Sequence, residues 1–191
     1  MATPDTELIS ILTDSSDTAL LRRKSLPEIL PILGLSDIVF YPGMVAPLLV
    51  ESSQSIKLID DVVGGDRFLV LALQKKPDLQ DPGPNDLHLF GCAARVLKML
   101  KFPDNTVRVL IEGLWRIRLK EYESRTPYLR AKFELHRDIR DDSLELAALA
   151  RNAQSQFQEI IKLSPALSEQ VKVAPLDPEH PGHLADLIAL T

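Results

Sequence analysis

The feature that most constrains this chain is a change of hydrophobic period. Leu129, Ala131, Phe133 and Leu135 alternate with Arg130, Lys132, Glu134 and His136, the two-residue period of a strand with one buried face. The same alternation runs through Val107, Val109 and Ile111, and again through Ile117 and Leu119 beside Arg116, Arg118 and Lys120. Gly113 interrupts it, as a bulge or a close backbone approach would. After Arg140 the period lengthens: Leu146, Leu149, Ala153, Phe157, Ile160 and Ile161 recur at helical spacing. Strands followed by helices make the fold class α+β.

Upstream, Ile29, Leu30, Ile32 and Leu33 form a short apolar run that fits a buried strand, and Pro42-Gly43 is a turn signal. Residues 52–63 predict a helix: Ile56, Ile59, Val62 and Val63 share a face, Ser52 or Ser53 caps it, and Gly64-Gly65 stops it. Residues 68–73 are a continuous apolar run of strand length. The Pro-rich stretch 75–86 is a loop, and 87–102 returns to strand character with a bulge expected near Gly91. Residues 103–106 carry the chemistry of a hairpin turn.

Asp142 and Glu145 form a capping-box pattern at the start of the next helix, which Ser164-Pro165 ends. A short helix over 168–173 follows. Asp177-Pro178 offers an N-cap for a last helix, although Pro181-Gly182 argues for a later start. Leu184, Leu187, Ile188 and Leu190 form an apolar stripe with no stop signal, expected to stay open for further chain or a partner. The organisation is then a flexible tail over 1–26, a β-rich unit over 27–140 and a helical unit over 141–191.

The chain has 191 residues, and 22 Lys+Arg against 27 Asp+Glu give a net charge of −5. That balance disfavours a nucleic-acid partner, because such binding rests on Lys and Arg neutralising phosphates. No apolar run nears the roughly 18 residues a membrane span needs. Cys92 is the only cysteine, which excludes an intrachain disulfide. The first residues carry Asp5 and Glu7 with no basic region, so no signal peptide is read and the cytoplasm is the expected compartment.

Motifs for chemistry are absent. No Gly-rich phosphate loop and no Gly-x-Ser-x-Gly elbow occur. His180 and His183 do not complete a metal site, so no metal is expected. Cys92 sits in an apolar setting that suits an inert buried thiol. Asp60-Asp61 and Asp141-Asp142 read as solvated or capping pairs. Arg116, Arg118 and Lys120 form a basic strand face beside Trp115, read as solvated. What remains is apolar exposure at turns: Met44 and Val45 after Pro42-Gly43, and Leu100 and Phe102 at a hairpin tip. With Trp115 these are the candidate residues for a peptide-binding surface.

Several segments together resemble one family. Residues 30–48, LPILGLSDIVFYPGMVAPL, are similar to the opening of the Lon protease N-terminal domain, with its Leu-Pro-x-Leu-Pro-Leu-Arg-Asp segment, Tyr-Pro turn, Met and Pro-Leu. Residues 91–97, GCAARVL, resemble its Gly-x-x-Ala-x-Ile strand, and 100–116 its Leu-Pro-Asp-Gly-Thr-x-x-Val-x-Val-Glu-Gly block. Gly34 and Ser36 depart from the usual Pro and Arg, and Asn105 from a Gly. Stand-alone relatives typically carry an aromatic-acidic-Pro-Arg-Tyr-Arg-like segment where this chain has residues 50–56, VESSQSI.

The resemblance implies a PUA-like β-barrel followed by the start of a helical bundle. It implies a domain that engages unfolded or damaged proteins for an ATP-dependent Lon serine protease. The ATPase and Ser-Lys protease domains would lie outside this chain, so it is not expected to be an enzyme by itself. It is expected to need no cofactor, with ATP and Mg confined to the missing ATPase domain. A hexamer is expected only in the full-length context, with a monomer or weak dimer for this piece. The alternatives are a stand-alone adaptor of the same fold and an RNA-binding PUA-like module.

Overall fold

The structure, a computed structural model, describes residues 26–77, 79, 82–103, 106–139, 143–164 and 176–190. Residues 1–25 of the expected tail, the centre of the 103–106 turn, Asp141-Asp142 and the short helix over 168–173 lie outside these residues, while Leu26 packs against the core.

Six strands form one mixed sheet: β1 (Ile29–Leu35), β2 (Val45–Val50), β3 (Phe68–Leu73), β4 (Phe90–Lys101), β5 (Val107–Ser124) and β6 (Arg130–Leu135). Its order is β2-β5-β4-β3-β1-β6, and β5 also pairs with β6. The pairings β1–β3–β4–β5–β6–β1 therefore return to their start. Only β1–β3 is parallel. A parallel pair needs a crossover, and this one carries β2 and the helix α1 (Ser53–Gly64). The later helices are α2 (Leu144–Leu163) and α3 (Pro181–Ala189), which pack on each other.

α1 forms as its spacing predicts. The Ser52 hydroxyl accepts from the Ser55 amide, satisfying a donor that has no partner inside the helix. Leu58, Ile59 and Val62 are buried, with Ile56 and Val63 packed beside them. Each such Leu or Ile side chain contributes about 1.5–3 kcal/mol by leaving water. The continuous apolar run of β3 is buried on both faces: Leu69 and Leu71 join one core cluster, Val70 and Ala72 a second.

β5 serves both clusters. Val107, Val109 and Ile111 lie in the first, Ile117 and Leu119 in the second. Gly113 does not end the strand. Ala94 pairs with Gly113 and Ala93 with Trp115, so Leu114 is an extra residue, a bulge that bends β5 from one cluster to the other. Gly113 is also a point of close approach: a Cβ there would lie 2.3 Å from the Tyr41 carbonyl oxygen. The bulge in β4 falls at Leu97 rather than near Gly91. At Gly91 itself a Cβ would meet the Leu71 carbonyl at 2.5 Å, so that glycine serves packing.

The helices correct three expectations. The described cap of α2 is Ser143, whose hydroxyl accepts from the Leu146 amide, one residue after Asp142. The buried face of α2 runs through Ala150 and Phe157, while Leu149 and Ile160 face solvent. The apolar stripe of α3 is not open: Leu184 and Leu187 are buried and Ile188 half-buried. α3 begins at Pro181, the later of the two starts the sequence offers.

Candidate functional site

Register places an apolar surface on the outside of β2, β5 and β4. Residues directly opposite in an antiparallel ladder project to the same side. Leu48, Val109 and Met99 form an inward row that belongs to the core. The neighbouring rows therefore face out: Leu49–Arg108–Leu100, then Pro47–Leu110–Lys98, then Val45–Glu112–Arg95. Leu49 and Leu100 are each about half exposed, at 55% and 50%. Phe102, 38% exposed, lies at the tip with the Arg108 guanidinium 5.0 Å from its ring centroid. Three candidates, Val45, Leu100 and Phe102, belong to this surface.

β2 ends the sheet order. The Met44 carbonyl accepts from the Gly113 amide at 2.8 Å. By strand alternation, the backbone groups of Ala46, Leu48 and Val50 then face β5, and those of Val45, Pro47 and Leu49 face away. Pro47 therefore stands where an edge amide would otherwise point outward, the position proline tolerates in a sheet.

Met44 and Trp115 are placed elsewhere. Pro42 and Gly43 occupy the middle of a turn closed by the Met44 amide on the Tyr41 carbonyl, 3.2 Å away, and Gly43 takes φ +83°. That turn delivers Met44 inward, onto the first core cluster. Trp115, next to the β5 bulge, packs against the second cluster. Gly113 joins that turn to β5: its amide donates to the Met44 carbonyl and its carbonyl accepts from the Gly43 amide.

Arg116 was expected on a solvated basic face. Instead it pairs with the buried Asp186 of α3, and with Asp138 at 3.5 Å. The backbone of α3 approaches Asp138 so closely at Gly182 that a Cβ would overlap the carboxylate. This pair ties α3 to the sheet, and nothing local in sequence announces it, because the partners are 70 residues apart. Leu49, Leu110 and Arg108 are likewise missed by turn-based reasoning. Residues 45–50, VAPLLV, are apolar throughout, so no alternation in the sequence marks Leu49 as outward.

Other chemistry-bearing side chains are engaged structurally. Cys92 is buried, and burial pushes its thiol up to about 12. Asp61 accepts from the Tyr128 hydroxyl at 3.0 Å and from Lys57 at 3.2 Å, which hold its carboxyl below the ordinary value. Asp60 pairs with Lys101. His180 contacts Asp177 at 2.7 Å, and His183 lies beside Gly43. Among the described residues no group of three His, Cys, Asp or Glu is placed to hold a metal ion. No helix of the described residues is long and apolar enough to cross a membrane. A cavity of about 250 Å³ opens between Pro27, Ile29, Val62, Phe68 and Tyr128, rimmed by Asp61 and Asp66.

Fold and surface together define the class: a mixed-sheet α+β domain with few helices, presenting an apolar outer face on β2, β5 and β4. The chain belongs to the family of the ATP-dependent protease La (LON) substrate-binding domain, whose family model matches residues 29–191. It is 36% identical over 166 residues to Lon protease of Dictyoglomus thermophilum, covering 87% of this chain and 21% of that protein. It is 35% identical over 178 residues to Lon protease 2 of Myxococcus xanthus, covering 93% and 22%. The chain thus spans about a fifth of the length of these relatives. Its fold is similar to the solved N-terminal domain of Mycobacterium avium complex Lon protease, with TM-score 0.57 and 17% identity over 85% of this chain and 76% of that one.

Proposed function

We propose that this chain is the substrate-recognition domain of a Lon-type ATP-dependent protease and engages unfolded or damaged protein segments on the outer face of β2, β5 and β4. The observation that carries the reading is the exposed row Leu49–Arg108–Leu100 with Phe102 at its end. Folded proteins bury such side chains, so a surface that offers several together suits partners whose own apolar residues are exposed. Met44 lies beneath this face on the first core cluster, its carbonyl accepting from the Gly113 amide, whereas Trp115 packs on the second cluster.

In this reading the returning strand pairings form a PUA-like barrel over 27–140. The helical unit over 141–191 begins a bundle, and exposed Leu149, Ile160 and Leu163 on α2 are the face that further helices would cover. Degradation is the work of ATPase and Ser-Lys protease domains, where ATP and Mg bind. This domain contributes binding alone, needs no cofactor, and acts in a cytoplasmic hexamer formed by the complete protease.

The test is fluorescence anisotropy with a permanently unfolded, reduced and alkylated protein. Leu100→Ser with Phe102→Ser is expected to weaken binding at least tenfold while thermal stability changes little, since both side chains are already half in water. Undiminished binding by that variant, with its fold intact, refutes the placement of the site.

A further inference from the structure

The same outer face carries an unbalanced charge. Arg108 lies between Leu49 and Leu100, Lys98 stands opposite Leu110, and Arg95 stands opposite Glu112. Elsewhere on the sheet and α1 four exposed lysines have carboxylate partners, Lys57 with Asp61, Lys101 with Asp60, Lys120 with Glu134 and Lys132 with Glu121, while the exposed Arg118 and Arg130 stand singly on other parts of the sheet. Among the described residues neither Lys98 nor Arg108 has such a partner, although the chain as a whole is net −5. Arg108 instead rests 5.0 Å over the Phe102 ring, which keeps its guanidinium above the apolar patch rather than in bulk water. Across the β4–β5 ladder Lys98 and Arg108 are diagonal neighbours, about 7–8 Å apart.

We propose that this face selects extended segments that combine apolar residues with acidic ones, and disfavours segments flanked by Lys or Arg. Resting on the substrate-binding reading above, this adds the substrate class. In an extended segment residues i and i+2 project to one side about 7 Å apart. Two Asp or Glu at that spacing match Lys98 and Arg108, while an apolar residue two positions further along the same side meets Leu100, Leu49 and Phe102. Charge complementarity of this kind acts by favouring the right partner and repelling the wrong one, and it weakens as salt screens it.

The experiment uses the whole chain and three fluorescent twelve-residue peptides with the same apolar residues, carrying at the two flanking positions Glu, Gln or Lys. The Glu peptide is expected to bind about tenfold tighter than the Lys peptide, with Gln between. Raising salt from about 50 to 300 mM is expected to narrow the gap, because the Debye length shortens. Arg108→Gln with Lys98→Gln, checked for an unchanged melting temperature, is expected to equalise the three peptides without abolishing binding. Equal binding of all three by the unaltered chain overturns the charge preference and leaves the apolar reading standing. No binding of any peptide, together with no binding of the unfolded protein, overturns the underlying reading instead. A single-stranded RNA of similar length that displaces the Glu peptide at equal concentration also overturns the proposal, because the cations then serve phosphates.

Discussion

Gly113→Ala is the sharpest test of how this fold is held. A Cβ at this position would lie 2.3 Å from the Tyr41 carbonyl oxygen and 3.1 Å from the Cys92 sulfur. Ordinary contact to the oxygen requires a displacement of about 1 Å, and close-packed surroundings resist one: inserting a methyl into a packed site costs about 1–3 kcal/mol. Displacing the Tyr41 turn also strains the two bonds Gly113 makes, to Gly43 at 2.9 Å and to Met44 at 2.8 Å. Losing one of them adds about 1 kcal/mol. The total is about 2–4 kcal/mol, which for a domain of this size lowers the melting temperature by roughly 4–16 °C. Trp115 is the only tryptophan and sits two residues away, so its fluorescence reports the transition in heat and in urea. Gly64→Ala is the control: nothing lies within 4 Å of a Cβ there, at the end of α1, and Ala in place of a helical Gly stabilises by up to about 1 kcal/mol. A loss below 1 kcal/mol for Gly113→Ala, with an unchanged urea slope, refutes the close approach as a determinant of stability.

Arg116→Met strands the buried Asp186 carboxylate and is expected to cost about 2–4 kcal/mol in urea denaturation, whereas Arg118→Ala, exposed two residues further along the strand, stays within about 0.5 kcal/mol; equal costs would show that the pair does not anchor α3. Tyr128→Phe removes the main group that depresses the Asp61 carboxyl, so its NMR titration midpoint rises toward the ordinary 3.8. Because the folded value is the depressed one, the stabilisation is present above that ordinary value and is lost as pH falls through the folded midpoint; in Tyr128→Phe this acid-side dependence shrinks, and an unmoved midpoint contradicts the assignment. Cys92 is expected to resist a thiol reagent at pH 8 until the chain unfolds and then to react with one equivalent; labelling of the native chain faster than unfolding contradicts its burial.

Local elements were legible where one residue type does one job. Ser52 caps α1, β3 spans the apolar run 68–73, and a lone Gly inside the alternation of β5 marks a close approach. The spacing of α2 places Phe157 in the core, where it is buried, but also weights Leu149 and Ile160 as core, which face solvent, and passes over small Ala150, which is buried. The stripe of α3 reads as open from its own residues and closes only when α2 and Arg116 are brought to it. Of the candidate surface, residues at turns could be named from sequence. The face itself is a property of register: Leu49, Arg108 and Leu100 come from three strands, and only their pairing sets them in one row.

The pairing of β1 with β6 has a consequence for how the chain acquires its structure. Leu30 meets Ala131 across about a hundred intervening residues, and β2 meets β5 across about sixty. Contacts so distant in sequence reward the chain only after long loops have been closed, which slows folding relative to local topologies. During synthesis β1 therefore waits for its antiparallel neighbour until β6 has emerged, and one edge of its apolar run stays unpaired for that interval. A domain proposed to receive unpaired apolar segments thus exposes one of its own while it is being made.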